Sequence, residues 1–274
     1  MSDTIKKLAV IGDPIEHSLS PLMHREFISL NGDDAEYTRF HVTSETLADM
    51  MKKVREEMRG INVTAPHKVA VMEYLDEISD DARLFGAVNT VVNDGGKLIG
   101  YNTDAKGFYK SLLREGIDVK DKNVLFFGAG GATKSVCMYL AMKKARSITV
   151  INRTKEKAIA LAENIKSAIG YEIKTEPELS HYDIVINTTS AGMAPQLDVL
   201  PYADLDFIDE KTAVVDMIYN PPETKFLKLA REKGARTVNG LGMLICQGIL
   251  AYELFMDTKL PESAFDAAKA VIGR

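Results

Sequence analysis

At 274 residues the chain exceeds the usual ~100–150-residue domain, so two domains are expected. A composition 46% hydrophobic and 27% charged is ordinary for a soluble globular protein. A net charge of −5 excludes any general attraction to nucleic acid or anionic membrane, leaving only local basic clusters for phosphates. The N-terminus enters an apolar strand without the long h-region of a signal peptide, and no run approaches ~18 apolar residues, so a cytoplasmic location is expected. Cys137 and Cys246 lack C-x-x-C spacing and read as buried reduced thiols. His17, His24, His41, His67 and His181 show no metal-ligand pattern, and no metal is expected.

In chain order, Lys7–Ile11 reads as a first strand, ended by Gly12-Asp13-Pro14. Ser20-Pro21 has the pattern of a helix N-cap with proline at N1, and Leu22, Phe27 and Leu30 fit one face of the helix that follows. Ser20 therefore reads as a cap. Ser18 has no such job, and two hydroxyls beside a helix start can also hold a small polyol or carboxylate. Glu36–Val42 reads as a strand, Glu45–Met58 as a helix and Gly60–Thr64 as a strand, an alternation that points to an α/β unit. Pro66 marks an expected helix start. Lys68 in its first turn is badly placed for the macrodipole, which leaves it either a tolerated surface lysine or a group facing a cleft.

Asp76–Leu84 reads as a polar connection, followed by a hairpin of Gly86–Val92 and Lys97–Tyr101 joined by a glycine-containing turn. Asn89, a polar side chain among apolar neighbours of the first strand, needs a buried partner or a ligand. Asp104 follows the second strand and is either a helix cap or a site carboxylate.

The chain is organised around Asn123–Lys134. Val124–Phe127 is a short apolar run of β-formers, Gly128, Gly130 and Gly131 follow it directly, and Val136 and Leu140 give the next helix a sheet-facing stripe. Strand, tight turn and helix N-terminus make an anion site suited to a dinucleotide pyrophosphate, although G-x-G-G-A departs from strict G-x-G-x-x-G. Ser147–Ile151 is a second strand whose end reads Asn152-Arg153-Thr154-Lys155. An NAD site usually places Asp or Glu there, whereas neutral Asn with Arg and Lys favours a 2′-phosphate, so NADP is the expected cofactor. Beyond the helix Thr154–Ala168, Asp183–Met193 and Thr212–Pro222 each supply a buried strand ending at the ligand-facing edge. After the helix Lys225–Lys233 and the short Arg236–Asn239, Gly240–Phe255 is a strongly apolar helix with one uncharged polar side chain, Gln247, which serves either a neighbouring backbone or a substrate.

Taken together, the chain resembles shikimate dehydrogenases over essentially its whole length. The resemblance rests on Ser18-Leu-Ser20-Pro, Asn62-Val-Thr64-Ala-Pro-His-Lys68, Gly86-Ala-Val-Asn89-Thr, Gly100-Tyr-Asn-Thr-Asp104, Gly128-Ala-Gly-Gly131-Ala, Asn152-Arg-Thr154 and Gly240-Leu-Gly-Met-Leu-Ile-Cys-Gln247, seven motifs in order. Ala65 stands where many relatives have another small or apolar residue. The resemblance implies an N-terminal α/β substrate domain over 1–105, a Rossmann-like NADP domain with a parallel sheet over 106–238, and a C-terminal helical segment over 239–274 that packs on the first. It implies reversible hydride transfer between NADPH and 3-dehydroshikimate, giving shikimate on the route to chorismate and the aromatic amino acids.

By the same resemblance, Lys68 and Asp104 are the catalytic pair. Ser18 and Ser20 bind the substrate carboxylate, and Thr64, Asn89, Tyr219 and Gln247 contact its hydroxyls or carboxylate. Gly128, Ala129, Gly130, Gly131 and Ala132 hold the pyrophosphate; Asn152, Arg153, Thr154 and Lys155 hold the adenosine phosphate; Thr188, Ser190, Met217, Ile218 and Gly240 hold the rest of the cofactor. The expected partners are small molecules, with neither nucleic acid nor membrane, and a homodimer is compatible with the sequence. Three competing readings stand beside this one. The first is a quinate/shikimate dehydrogenase of relaxed specificity. The second is glutamyl-tRNA reductase, which needs an N-terminal cysteine, and none precedes Cys137. The third is a non-catalytic NADP-binding regulator.

Overall fold

The protein is described here by a computed structural model covering residues 5–178 and 181–273. Its chain divides into two units, Met1–Gly107 with Ile245–Arg274, and Phe108–Leu244.

In the first unit, β1 (Lys6–Gly12) is paired in parallel with β2 (Ala35–His41) on one side and β3 (Gly60–Val63) on the other. Leu8–Ile11 are fully or almost fully buried, as expected of a strand with parallel neighbours and both faces covered. The intervening helices are α1 (Ser20–Asn31) and α2 (Leu47–Glu57); α2 buries Leu47, Met50, Met51 and Val54, one stripe at i, i+3, i+4 and i+7. Then come β4 (Glu77–Ile78), α3 (Asp80–Phe85) and the hairpin of β5 (Thr90–Asp94) and β6 (Lys97–Tyr101). Gly95 and Gly96 join the hairpin at φ of 59° and 95°, the left-handed values a two-residue primed turn needs. Antiparallel pairing of β5 with β3 completes a mixed sheet of order β2-β1-β3-β5-β6-β4. Its core gathers Ile11, Met51, Val54, Ile61, Val63 and Val91.

The second unit holds β7 (Asn123–Phe127), β8 (Ser147–Ile151), β9 (Ile173–Lys174), β10 (Ile184–Asn187), β11 (Ala213–Asp216) and β12 (Arg236–Val238), all parallel, in the order β12-β11-β10-β7-β8-β9. Counted from β7, that is the dinucleotide-binding order 3-2-1-4-5-6, with its switch point where β7 meets β10. The helices are α4 (Asp104–Arg114), which starts in the first unit, then α5 (Gly131–Met142), α6 (Lys155–Ile169) and α7 (Lys225–Glu232). Phe127, Tyr182, Val185 and Phe226 are among the core residues on one side of the sheet.

Helix α8 (Leu241–Met256) begins in the second unit and ends in the first, so the second crossing falls within this helix rather than before it. In the first unit its far end is tied down by Arg59 Nε donating to Phe255 O (2.6 Å) and by the Tyr252 hydroxyl donating to Asp33. The ring of Phe255 comes so close to Gly60 that a Cβ there would lie 2.5 Å from a ring carbon. A last helix, α9 (Ala264–Ile272), packs on α1.

Three local expectations are corrected. The stretch 76–84 is not a plain connection: Ser79 caps α3 by accepting the Ala82 N–H, and Asp80 and Asp81 occupy the first turn, a polar helix start with too few apolar residues to show a period. No α-helix begins at Pro66; turns lead into a 3-10 helix, Ala70–Tyr74, so the macrodipole objection to Lys68 has no helix to act on. The first hairpin strand starts at Thr90, leaving Asn89 just outside it.

Candidate active site

Sheet pairing gathers the polar residues of the first unit. Thr64 follows β3, Asn89 precedes β5, and Asp104 opens α4 shortly after β6; these three strands are neighbours. Lys68 lies in the turns after β3, and its carbonyl accepts the Val88 N–H at 2.8 Å, which holds the segment beside Asn89. Lys68 Nζ donates to Asp104 Oδ2 at 2.7 Å, with the two side chains 33% and 16% exposed, so the ion pair is partly shielded from water. Asn89 Nδ2 donates to the other carboxylate oxygen at 2.8 Å, to Thr103 Oγ1 at 2.9 Å and to Gln247 Oε1 at 3.4 Å. Both oxygens of Asp104 thus have a donor, one of them charged.

The Asp104 carboxylate is thus engaged by two side chains from outside its helix, and Asn102 Oδ1 accepts the Asp104 N–H (3.1 Å) at the helix start. The capping reading of Ser20 fails. Ser20 is the first residue of α1, Leu19 holds the cap position, and no side chain caps the helix. The buried Ser20 instead hydrogen-bonds Tyr37, and its N–H donates to Ser18 Oγ at 3.3 Å. Thr64 is half-buried, its methyl against Gly12, where a Cβ would come within 2.4 Å. Lys68, Asn89, Asp104 and Gln247 are thus joined in one cluster, Ser18 and Ser20 are joined to each other, and Tyr219 belongs to the second unit. Thr103 was missed as a participant: its N–H and hydroxyl both bond Asn89 Oδ1, and its place inside Asn102-Thr-Asp104 was the available signal.

In the second unit the glycine turn leads from β7 to α5. Gly128 has φ 109°, and a Cβ there would meet Thr188 Oγ1 at 2.5 Å, so only glycine fits. At Gly130 and Gly131 an added Cβ meets nothing within 4 Å; their bareness serves no packing within the described chain and leaves the helix start open to an anion. Thr133 secures the turn, accepting the Gly130 N–H and bonding Thr188 Oγ1 at 2.7 Å, while Thr188 donates to Phe127 O. Ala129 is half-buried and Ala132 exposed on the same turn.

After β8, Asn152 Nδ2 donates to Thr154 O at 2.8 Å, which shapes the loop. The exposed Arg153 makes no hydrogen bond or ion pair among the described residues, and no carboxylate occupies the loop. Lys155, by contrast, is bonded to Glu176, which raises its pKa and takes its ammonium as a first partner. Ser190 is exposed after β10; Met217 and Ile218 follow β11. A Cβ on Gly240 would lie 2.0 Å from Met217 O, so that glycine is needed for chain packing at the start of α8. A bare glycine turn at a helix start, a switch point and an unpartnered arginine after the second strand fit NADP. Among the described residues no group of three or more His, Cys, Asp or Glu could hold a metal ion.

Comparisons with known proteins show the family. A model described as the shikimate dehydrogenase substrate binding domain matches residues 10–91, and one described as shikimate/quinate 5-dehydrogenase matches 111–198. The chain is 44% identical over 260 residues to a shikimate dehydrogenase (NADP(+)) of Methanococcus aeolicus, covering 93% of each. Among solved structures it is similar to a shikimate 5-dehydrogenase of Thermus thermophilus in complex with NADP(H) and shikimate, with TM-score 0.87, 34% identity, and coverage of 98% of this chain and 100% of that one. It is also similar to a 5-ketofructose reductase of a Gluconobacter species, with TM-score 0.89, 34% identity, and coverage of 98% and 99%. By sequence, family model and fold, the chain belongs to the shikimate dehydrogenase family of NADP-linked oxidoreductases.

Proposed function

We propose that this family member interconverts 3-dehydroshikimate and shikimate with NADP(H), using Lys68 and Asp104 as its catalytic pair. The observation that carries the reading is the 2.7 Å contact between Lys68 and Asp104, with Asn89 and Gln247 bonded into the same cluster. NADPH, when bound, supplies the hydride. As the ketone is reduced, its oxygen gains negative charge and needs a proton or a cation beside it. Lys68 supplies that. Asp104 holds the ammonium in place and accepts a hydrogen bond from a substrate hydroxyl. Ser18 and Ser20 bind the substrate carboxylate, and Thr64, Asn89, Tyr219 and Gln247 contact its hydroxyls or carboxylate. Gly128–Ala132 hold the pyrophosphate and Arg153 the 2′-phosphate, with Asn152 and Thr154 shaping that loop and Lys155 available once released from Glu176. Thr188, Ser190, Met217, Ile218 and Gly240 line the rest of the cofactor path. Cys137 and Cys246 are buried and neither forms a disulfide among the described residues, which fits a reducing compartment, and we place the enzyme in the cytoplasm.

The test is an initial-rate assay with NADP and NAD, each against shikimate, quinate and 5-ketofructose in the corresponding direction. Fastest turnover with shikimate and NADP is expected. Equal efficiency with quinate, or with NAD, would replace the narrow reading by a relaxed dehydrogenase, and no turnover with any pair would return the chain to a non-catalytic NADP binder.

A further inference from the structure

Behind the Lys68–Asp104 pair lies a chain of buried hydrogen bonds whose direction is fixed at both ends by backbone groups. The Asn89 carbonyl can only accept, so Asn62 turns its Nδ2 toward it at 3.2 Å. The same Nδ2 donates to Thr90 Oγ1 at 3.1 Å, and Asn62 Oδ1 is left to accept the Tyr37 hydroxyl at 2.7 Å. At the other end the Thr103 N–H can only donate, so Asn89 presents Oδ1 to it at 2.8 Å. The Thr90 hydroxyl, already accepting from Asn62, has its own proton for Asn89 Oδ1 at 3.1 Å, nearer than the Thr103 Oγ1 that lies 3.4 Å away. Asn89 Nδ2 is then the group that meets Asp104 Oδ1, at 2.8 Å. The donors therefore run one way, Tyr37 to Asn62 to Thr90 to Asn89 to Asp104, with Ser20 bonded to Tyr37 at the start. Asn62 and Thr90 are 7% and 0% exposed.

We infer that Thr90, backed by Asn62, is a positioning residue for the reaction: it locks and polarises the Asn89 amide so that Asp104 is held for Lys68. Aligned donors strengthen one another in a low-dielectric interior, and a further donor on Asn89 Oδ1, beside the Thr103 N–H and hydroxyl, makes its N–H groups better donors to the carboxylate. Thr90 acts only through Asn89. The inference rests on the reading of Lys68 and Asp104 as the catalytic pair.

The experiment compares Thr90→Val, Thr90→Ser, Asp104→Asn and the Thr90→Val/Asp104→Asn double variant in the full-length enzyme, measuring kcat, KM for shikimate and for NADP, and melting temperature. Losing one buried hydrogen bond to the Asn89 amide should lower kcat about tenfold in Thr90→Val with KM for NADP unchanged. Thr90→Ser, which keeps the hydroxyl, should stay within about threefold of the parent, and Thr90→Val should cost less than about threefold in the Asp104→Asn background. A parental kcat in Thr90→Val, no rescue by serine, or the same factor lost in both backgrounds would overturn the relay. If Thr90→Val does not fold, Tyr37→Phe replaces it in the same cycle. It removes the first donor and keeps the ring, and a kcat loss of about twofold or more that disappears beside Asp104→Asn is expected; an unchanged kcat or an equal loss in both backgrounds overturns the proposal. An Asp104→Asn enzyme with near-parental turnover would sink the catalytic pair itself, whereas an impaired Asp104→Asn beside an unimpaired Thr90→Val sinks only the relay.

Discussion

The two candidate ligand regions are built on opposite plans. In the first unit the candidate region is carried by side chains that satisfy one another: Lys68, Asp104, Asn89 and Gln247 are bonded in one cluster. In the second unit it is carried by backbone and by bareness: glycines whose missing Cβ atoms leave open space, and an arginine with no partner among the described residues. A satisfied network is sensitive to the loss of any member, because each deletion strands a partly buried polar group. An open cradle is sensitive to what fills it. Substitutions in the first unit should therefore show in kcat, and those in the second in cofactor affinity and choice.

The largest expected effect follows from the first plan. Lys68→Met keeps most of the side chain and removes the charge, so kcat should fall at least ~100-fold with KM for shikimate far less affected, as for an interaction made chiefly in the transition state. Steady-state kinetics at saturating NADP measure it. A near-parental kcat would reduce the network to a structural one.

Glycines sharpen the contrast next. Gly240→Ala drives a Cβ to 2.0 Å from Met217 O and should cost roughly 2 kcal/mol or more of unfolding free energy. Gly131→Ala meets no described atom and should leave stability within ~0.5 kcal/mol while raising KM for NADP several-fold. Urea melts beside cofactor titrations separate the two. The same fall in stability for both would mean that the bare turn serves packing after all.

The first unit also contains its own counterexample. His24, fully buried and stacked on Tyr37 with ring centroids 4.0 Å apart, has neither ring nitrogen hydrogen-bonded among the described residues. Burial lowers its pKa from 6.5 to about 3. A proton then binds the unfolded chain first, so His24 leaves stability intact above about pH 6.5 and withdraws it as pH falls from there toward 3. Relative to His24→Phe, the parent should lose about 2 kcal/mol between pH 7 and pH 5. His41, its pKa raised chiefly by its hydrogen bond to Asp13, works in the opposite sense over the same range and is common to both proteins. Denaturant melts at the two pH values decide it; parallel losses in parent and variant would mean that His24 finds a partner on folding.

A further effect concerns cofactor choice. Arg153→Ala should cut the NADP-over-NAD preference in kcat/KM about tenfold and leave NAD turnover nearly unchanged, since only NADP carries the phosphate. If NAD turnover falls equally, Arg153 supports the loop rather than the ligand.

The second region was the more legible in sequence, for a physical reason. A strand, a glycine turn and a helix start are contiguous, so β7, Gly128–Gly131 and α5 could be read from one stretch, and Asn152–Lys155 followed at a set distance. The first region was legible only as fragments. Ser20 looked like a cap, Lys68 like a misplaced helix charge and Asp104 like either cap or ligand, because what decides among these is which strands lie side by side. Local signals were weakest where elements are short or polar: β4 has two residues, and α3 begins Asp-Asp. Thr90 and Asn62 stand inside two of the motifs but were given no role, since a hydroxyl and an amide inside strands acquire their meaning from the direction of hydrogen bonds that only the folded sheet creates.

The most direct test of the central claim is a double-mutant cycle on Lys68→Met and Asp104→Asn, read as kcat for shikimate oxidation with NADP. If the ammonium and the carboxylate work as one unit, the double variant should be little worse than the poorer single variant, far from the product of the two losses. Losses that multiply would contradict the account, because they would make the 2.7 Å contact a neighbourhood of two independent groups rather than a catalytic pair.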